Sequence, residues 1–192
     1  MAWDADAVTM LSWEALGIVW LIGLAFTKRT VKAQPDATRV FQMAVILLGY
    51  CLLGLGSNWL QSGWLGMRYL PVNFAFREVG AAMTLAGCLF AIWARITLGG
   101  NWSGRATVKE GHTLIVKGPY AIARHPIYTG LLLASVGTAL AVGQWRCILG
   151  LAILVPMFLV KMSQEERLMM ETFPAAYPKY RQRVKALIPG VF

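Results

Sequence analysis

The sequence predicts an all-α integral membrane protein with five transmembrane helices, the last two forming a tight hairpin. Three observations carry this. Of the 192 residues, 57% are hydrophobic and only 14% charged, with a mean hydropathy of +0.56, whereas soluble domains average roughly 45–50% apolar and about 25% charged. The apolar residues gather in stretches near the ~20 residues needed to cross a bilayer. Finally, the Lys and Arg residues sort to alternate ends of those stretches.

Each stretch reads in turn as a helix. "MLSWEALGIVWLIGLAF" (10–26) is the first span, and "VFQMAVILLGYCLLGLGSNWL" (40–60) the second. "VGAAMTLAGCLFAIWARITLGG" (79–100) is the third. "IYTGLLLASVGTALAVG" (127–143) and "CILGLAILVPMFLVKM" (147–162) are the fourth and fifth, separated only by "QWR". Pro156 inside the fifth removes one backbone donor, which a helix bundle tolerates. Acidic Asp4 and Asp6 precede the first span in place of a basic leader region, so it reads as a retained span and not as a cleaved signal. No repeat or low-complexity tract divides the chain, which reads as one membrane-embedded domain over 1–192.

Charge sets the orientation. In a five-span arrangement 15 of the 18 Lys and Arg residues fall on one side, leaving Arg68, Arg77 and Arg146 on the other. The positive-inside rule then places the N-terminus outside and the C-terminus in the cytosol. A prokaryotic plasma membrane is the expected location. The net charge of +9 reads as this topology signal and not as a nucleic-acid surface. Cys51, Cys88 and Cys147 stand apart from one another and from histidine, so neither a metal site nor a disulfide framework is expected, and each reads as a small buried hydrophobe.

Polar chemistry concentrates on the cytosolic side, in the loop 101–126 and the tail 163–192. A hairpin of the last two spans makes the start of one a neighbour of the end of the other. That brings Arg124, His125 and Pro126 toward Glu165 and Glu166, a cationic cluster facing a carboxylate pair at membrane-surface depth. A plainer reading has Pro126 opening a helix, His125 capping it, Arg124 snorkelling to the headgroups and the two glutamates on a solvated face. A zwitterionic ligand such as S-adenosylmethionine calls for cations or donors, a carboxylate, aromatic contacts and an apolar slot. Arg124 or His125, Glu165, Tyr120 and Tyr128, and "TLIV" (113–116) supply those in turn. There is no GxGxxG between a strand and a helix, so a Rossmann-type nucleotide site is not indicated.

The stretches "LGGNWS" (98–103), "EGHTLIVKGPYAIARHPIYTG" (110–130) and "EERLMMETFPAAYPKYRQRV" (165–184) resemble the isoprenylcysteine carboxyl methyltransferase family of integral-membrane enzymes. The RHPxY and EE elements are shared with the related phospholipid methyltransferases. The resemblance implies S-adenosylmethionine as cofactor, held between the cytosolic loop and the tail. It assigns His112, Thr113, Leu114, Ile115, Tyr120, His125, Pro126, Ile127, Tyr128 and Glu165 to cofactor contacts. Where the family carries an arginine one turn before that glutamate, assigned to the acceptor carboxylate, this sequence has Lys161, which keeps the charge but loses the bidentate fork. Arg124, His125 and Glu166 are the expected catalytic residues. The acceptor is expected to be lipophilic, an isoprenylcysteine-like carboxylate entering from the bilayer lipid, with no metal and no nucleic acid. A phospholipid amine, a small thiol, or a non-enzymatic membrane role are the alternatives.

Overall fold

A computed structural model describes residues 4–33, 36–54, 63–102, 107–109, 111, 113–188 and 190. Among the described residues there are six α-helices: α1 (Ala5–Leu24), α2 (Asp36–Gly54), α3 (Phe74–Leu98), α4 (Pro126–Val142), α5 (Trp145–Thr172) and the short α6 (Tyr177–Arg183). Their starts follow local chemistry. The Asp4 carboxylate accepts from the backbone N–H of Asp6 and Ala7, and Asn73 accepts from Ala75 N–H, so α1 and α3 are capped by short polar side chains. Pro126 occupies the first turn of α4, where its missing N–H costs nothing.

Among the described residues four helices, α1, α2, α3 and α5, are long and apolar enough to cross a membrane. At 17 residues α4 is shorter, about 25 Å at 1.5 Å per residue. With Pro156 inside it, α5 runs past the expected end at residue 162 to Thr172, so Glu165 and Glu166 sit on a helix. Residues 55–60 of the expected second span lie outside the described residues. The prediction of a purely helical chain also needs one correction. Thr30–Ala33 (β1) and Thr107–Lys109 (β2) pair antiparallel, Thr30 opposite Lys109 and Ala33 opposite Thr107. Both segments carry the β-branched pair Thr-Val, which suits an extended ladder.

Successive long helices alternate in direction. At one end the Arg77 side chain pairs with Asp6 and the Tyr69 N–H bonds to Gly143 C=O. Arg146, buried in the first turn of α5, donates there to the Leu52 and Leu53 carbonyls at the end of α2. At the opposite end Arg95 donates to the Gly23 carbonyl at the end of α1, its guanidinium 4.5 Å over the Trp102 ring, and β1 meets β2. Gln42 near the start of α2 bonds Gln164 near the end of α5 at 2.8 Å.

The closest helix packing joins α3 to α4 and depends on small residues. Gly80, Thr84, Gly87 and Ala91 face Gly130, Ala134, Gly137 and Ala141. A Cβ added at Gly137 would lie 2.6 Å from the Gly80 carbonyl oxygen, so the two backbones touch. Without a solvent-driven hydrophobic term inside lipid, such close backbone contact is what holds helices together. α1 packs on α3 and α2 on α5. The turn between α4 and α5 is tight: Gly143 adopts φ +66° and α5 starts at Trp145.

Candidate functional site

The site begins where the chain re-enters the bundle. A short 3-10 turn, Gly118–Ala121, buries Pro119 and Tyr120, and the Tyr180 hydroxyl donates to the Tyr120 carbonyl at 2.6 Å. Proline at 126 keeps His125 out of helical conformation, and its backbone N–H is left to pair with the returning tail. Arg124 N–H donates to Lys185 C=O at 2.8 Å and His125 N–H to Ala186 C=O at 2.9 Å. The Thr129 hydroxyl adds a bond to Leu187 C=O. Residues 184–187 thus lie along the entrance to α4 and fix it in place.

Around this entrance the side chains form one charged network. The Arg124 Nε and Nη2 donate to the same Glu166 oxygen at 2.9 and 2.6 Å, while Nη1 donates to the Val184 and Arg181 carbonyls. His125 lies between the glutamates, with Nε2 3.2 Å from Glu166 Oε1 and Nδ1 3.7 Å from Glu165 Oε2. The other Glu166 oxygen is 3.4 Å from Arg181 Nε. Glu165 accepts from the Tyr128 hydroxyl at 2.5 Å, and the Tyr128 ring stacks on Phe158 with centroids 5.1 Å apart. His125 occupies the position before α4 but makes no side-chain capping bond; its ring is committed to the carboxylates.

The electrostatics follow from this geometry. Burial alone would raise the Glu166 carboxyl, but hydrogen bonds from His125 and Arg124 and their charges hold it at about 2. For His125, burial opposes the charged ring, yet the bonds and charges of Glu165 and Glu166 outweigh it and raise its pKa above 6.5. Burial raises the Tyr120 and Tyr177 phenols well above 10, so both stay neutral.

A cavity of about 1010 Å³ opens from this network and runs between the helices. Its polar mouth is lined by Thr113, Leu114, Ile115, Tyr120, Arg124, His125, Pro126, Ile127, Tyr128, Lys161 and Glu165. His112 lies outside the described residues. Lys161 is buried on the cavity wall, one turn before Glu165. Glu166 does not line this cavity: its carboxylate faces away and is shared among Arg124, His125 and Arg181. Deeper in, the walls turn apolar and aromatic, with Leu16 and Trp20 from α1, Ile46 and Leu53 from α2, Leu131 from α4 and Phe158 from α5. Met10 and Met43 belong to the same walls and are more than half exposed, so the cavity reaches the outer surface between α1 and α2.

Sequence reasoning passed over several lining residues. Asn101 lines the mouth, donating to the Thr113 hydroxyl at 3.3 Å while its buried Oδ1 has no hydrogen-bond partner among the described residues. Trp102 lines the cavity next to the buried Arg95. Trp13, whose ring meets Tyr50 edge-on at 5.3 Å, bridges α1 and α2. An aromatic in a span reads as bulk apolar surface, and only the fold turns these inward. Asn101 and Trp102 stand inside the "LGGNWS" motif, a signal that was available.

Comparison with known proteins gives a consistent result. Residues 80–171 match the profile of the isoprenylcysteine carboxyl methyltransferase (ICMT) family. The chain is similar to protein-S-isoprenylcysteine O-methyltransferase B of Arabidopsis thaliana, 31% identical over 125 residues, which is 64% of this chain and 64% of the relative. It is similar also to protein-S-isoprenylcysteine O-methyltransferase A of the same plant, 29% identical over 174 residues, 90% of this chain and 80% of the relative. The Xenopus laevis protein-S-isoprenylcysteine O-methyltransferase is 27% identical over 116 residues, 59% of this chain and 40% of the relative. The chain thus spans less than two thirds of the length of two of these relatives. All three come from eukaryotes, which lends no support to a prokaryotic membrane.

Proposed function

From the premise that the chain belongs to the isoprenylcysteine carboxyl methyltransferase family through residues 80–171, we propose that it transfers a methyl group from S-adenosylmethionine to the carboxylate of an isoprenylcysteine-like acceptor. The observation that carries this reading is the large cavity, polar and charged at its mouth and mostly apolar toward α1 and α2, with Lys161 and Glu165 one turn apart on its wall. A polar cofactor and a greasy acceptor each find matching surface there, and the two meet at the mouth.

The residues present fit such a cofactor. Glu165 presents a carboxylate for an ammonium or ribose hydroxyl, and Tyr120, Tyr128 and the segment 113–115 supply aromatic and backbone contacts. The Asn101 Oδ1, without a partner among the described residues, offers an acceptor at the same mouth. When bound, the sulfonium supplies an activated methyl group for in-line displacement. A carboxylate acceptor is already nucleophilic, so the protein's work is placement, alignment and exclusion of water. Lys161 holds the acceptor carboxylate from the buried wall. His125 and Tyr128 hold Glu165 in position. Arg124 and Glu166 act one step back, pinning His125 and the tail that closes over the mouth.

The same reading gives the membrane arrangement. The alternating helices make five crossings within one domain, α4 being the shortest, with the N-terminus outside and the ribbon, the mouth and the tail in the cytosol. The acceptor enters sideways between α1 and α2 while the cofactor arrives from the aqueous side. Calorimetric titration of the detergent-purified chain with S-adenosylhomocysteine tests the cofactor half. His125→Ala and Glu165→Ala are expected to weaken binding well over tenfold, the loss typical of removing one partner of a buried charged contact, about 2–5 kcal/mol. Absence of binding by the unaltered chain at millimolar ligand refutes the reading. A methyl-label assay against a farnesylcysteine analogue and a lipid extract tests the acceptor half; label only in phospholipid transfers the function to phospholipid methylation.

A further inference from the structure

α5 is a wall with two working sides. Phe158, Lys161 and Glu165 turn toward the large cavity. Leu159, Met162 and Glu166, also at helical spacing of three to four residues, line a second cavity of about 580 Å³ on the opposite side. Its lower wall is apolar: Leu159 is 38% exposed and belongs to the stretch 147–162 that crosses the bilayer. Its upper rim is cationic. Arg181 and Lys185 are both exposed there, and the Arg124 guanidinium stands behind them. One carboxylate, Glu166, offsets these three cations, and it is shared between Arg124 and Arg181. The rim therefore keeps a net positive charge where the apolar part of α5 ends, at headgroup depth.

We propose that this second cavity binds an anionic phospholipid, its headgroup against Arg181 and Lys185 and an acyl chain along Leu159 and Met162. Guanidinium and ammonium donors suit a phosphodiester, and basic residues at the cytosolic surface draw anionic lipid. A zwitterionic headgroup matches the rim less well, because its choline brings a cation toward Arg181 and Lys185. An acidic peptide matches the rim but leaves the apolar wall uncovered. The lipid stays outside the large cavity, and Arg124 is the residue that lines both cavities. The proposal rests on α5 crossing the membrane and is independent of the methyl-transfer reading.

The test uses the full chain in a neutral detergent, titrated with dioleoyl phosphatidylglycerol or dioleoyl phosphatidylcholine and followed by native mass spectrometry. The glycerol lipid is expected to be retained at a concentration at least tenfold lower than the choline lipid. Lys185→Gln should reduce that preference several-fold, and Arg181→Gln with Lys185→Gln should abolish it. Phosphatidylglycerol carrying a photoactivatable acyl chain should label the peptide that holds Leu159 and Met162. Equal retention of the two lipids, an unchanged preference in Lys185→Gln, or labelling confined to α1 and α2 would each overturn the proposal. So would displacement by millimolar glycerol 3-phosphate, which would assign the rim to soluble phosphates. If the double variant does not fold, Lys185→Gln and the labelling map decide.

Discussion

Removing the Glu166 carboxylate tests the division between a glutamate that holds the network together and one that lines the large cavity. The perturbation is Glu166→Gln, which keeps the shape and deletes the charge. In the folded chain the carboxyl is held at about 2, against an ordinary value of 4.5. At 1.36 kcal/mol per pKa unit, that difference corresponds to about 3 kcal/mol of stability near neutral pH. Because the folded pKa is depressed, this contribution is fully present above pH 4.5 and fades as pH falls through about 2. The Arg124 side chain, only 8% exposed, is one source of that depression and is left without its anion in the variant. By the scaling for chains of this length, about 3 kcal/mol lowers the unfolding midpoint by roughly 6–12 °C. The assay is thermal unfolding in detergent at pH 7 and again at pH 3, where the gap between wild type and variant should narrow. Glu165→Gln, measured in parallel, should change the midpoint little while weakening S-adenosylhomocysteine binding. An unchanged midpoint in Glu166→Gln, or a deficit of equal size in both variants, would refute the division of labour between the two glutamates.

Three further outcomes follow from the same structure. A cysteine at Gln144 should react with impermeant reagents from outside intact cells and one at Ala175 should not; labelling of Ala175→Cys alone would reverse the orientation, and labelling of both would break the count of five crossings. Lys161→Met should leave S-adenosylhomocysteine affinity nearly unchanged but slow methyl transfer at least tenfold, about 1.4 kcal/mol. Lys161→Arg should retain activity, and full activity of Lys161→Met would remove its role in holding the acceptor. Gly137→Val, by forcing a side chain against the Gly80 carbonyl, should cost about 1–3 kcal/mol of stability, read as a lower unfolding midpoint; Ala152→Val, on the exposed face of α5, should be nearly silent.

Much of the architecture was legible because membrane helices announce themselves through composition. Each of the five apolar stretches contains or overlaps a helix, with ends displaced by several residues. The displacements have physical causes. α1 begins at Ala5 because Asp4 caps it, although the apolar run starts later. α5 runs to Thr172 because "SQEERLMMET" consists mostly of good helix formers, a property that hydropathy does not register. The ribbon between residues 30–33 and 107–109 was not legible, since its pairing joins segments far apart and each is too short to signal a strand.

The site shows a sharper boundary between what a sequence reveals and what only a fold does. Adjacent glutamates look interchangeable in a string, and the hairpin argument brought both toward His125 without separating them. On a helix, neighbours point about 100° apart, so one step along α5 divides the pair. Glu165 enters the large cavity with Tyr128, and Glu166 joins Arg124 and Arg181 on the other side. Lys161 precedes Glu165 by one turn and shares its side, on the wall of the large cavity and away from the clamp. His125 touches both carboxylates because it sits at the non-helical entrance to α4, where Pro126 and the tail together hold its backbone. A histidine tied to both glutamates transmits to the cavity any rearrangement of the clamp. Changes at Glu166 should therefore lower cofactor affinity in proportion to lost stability, whereas changes at Glu165 should lower affinity alone.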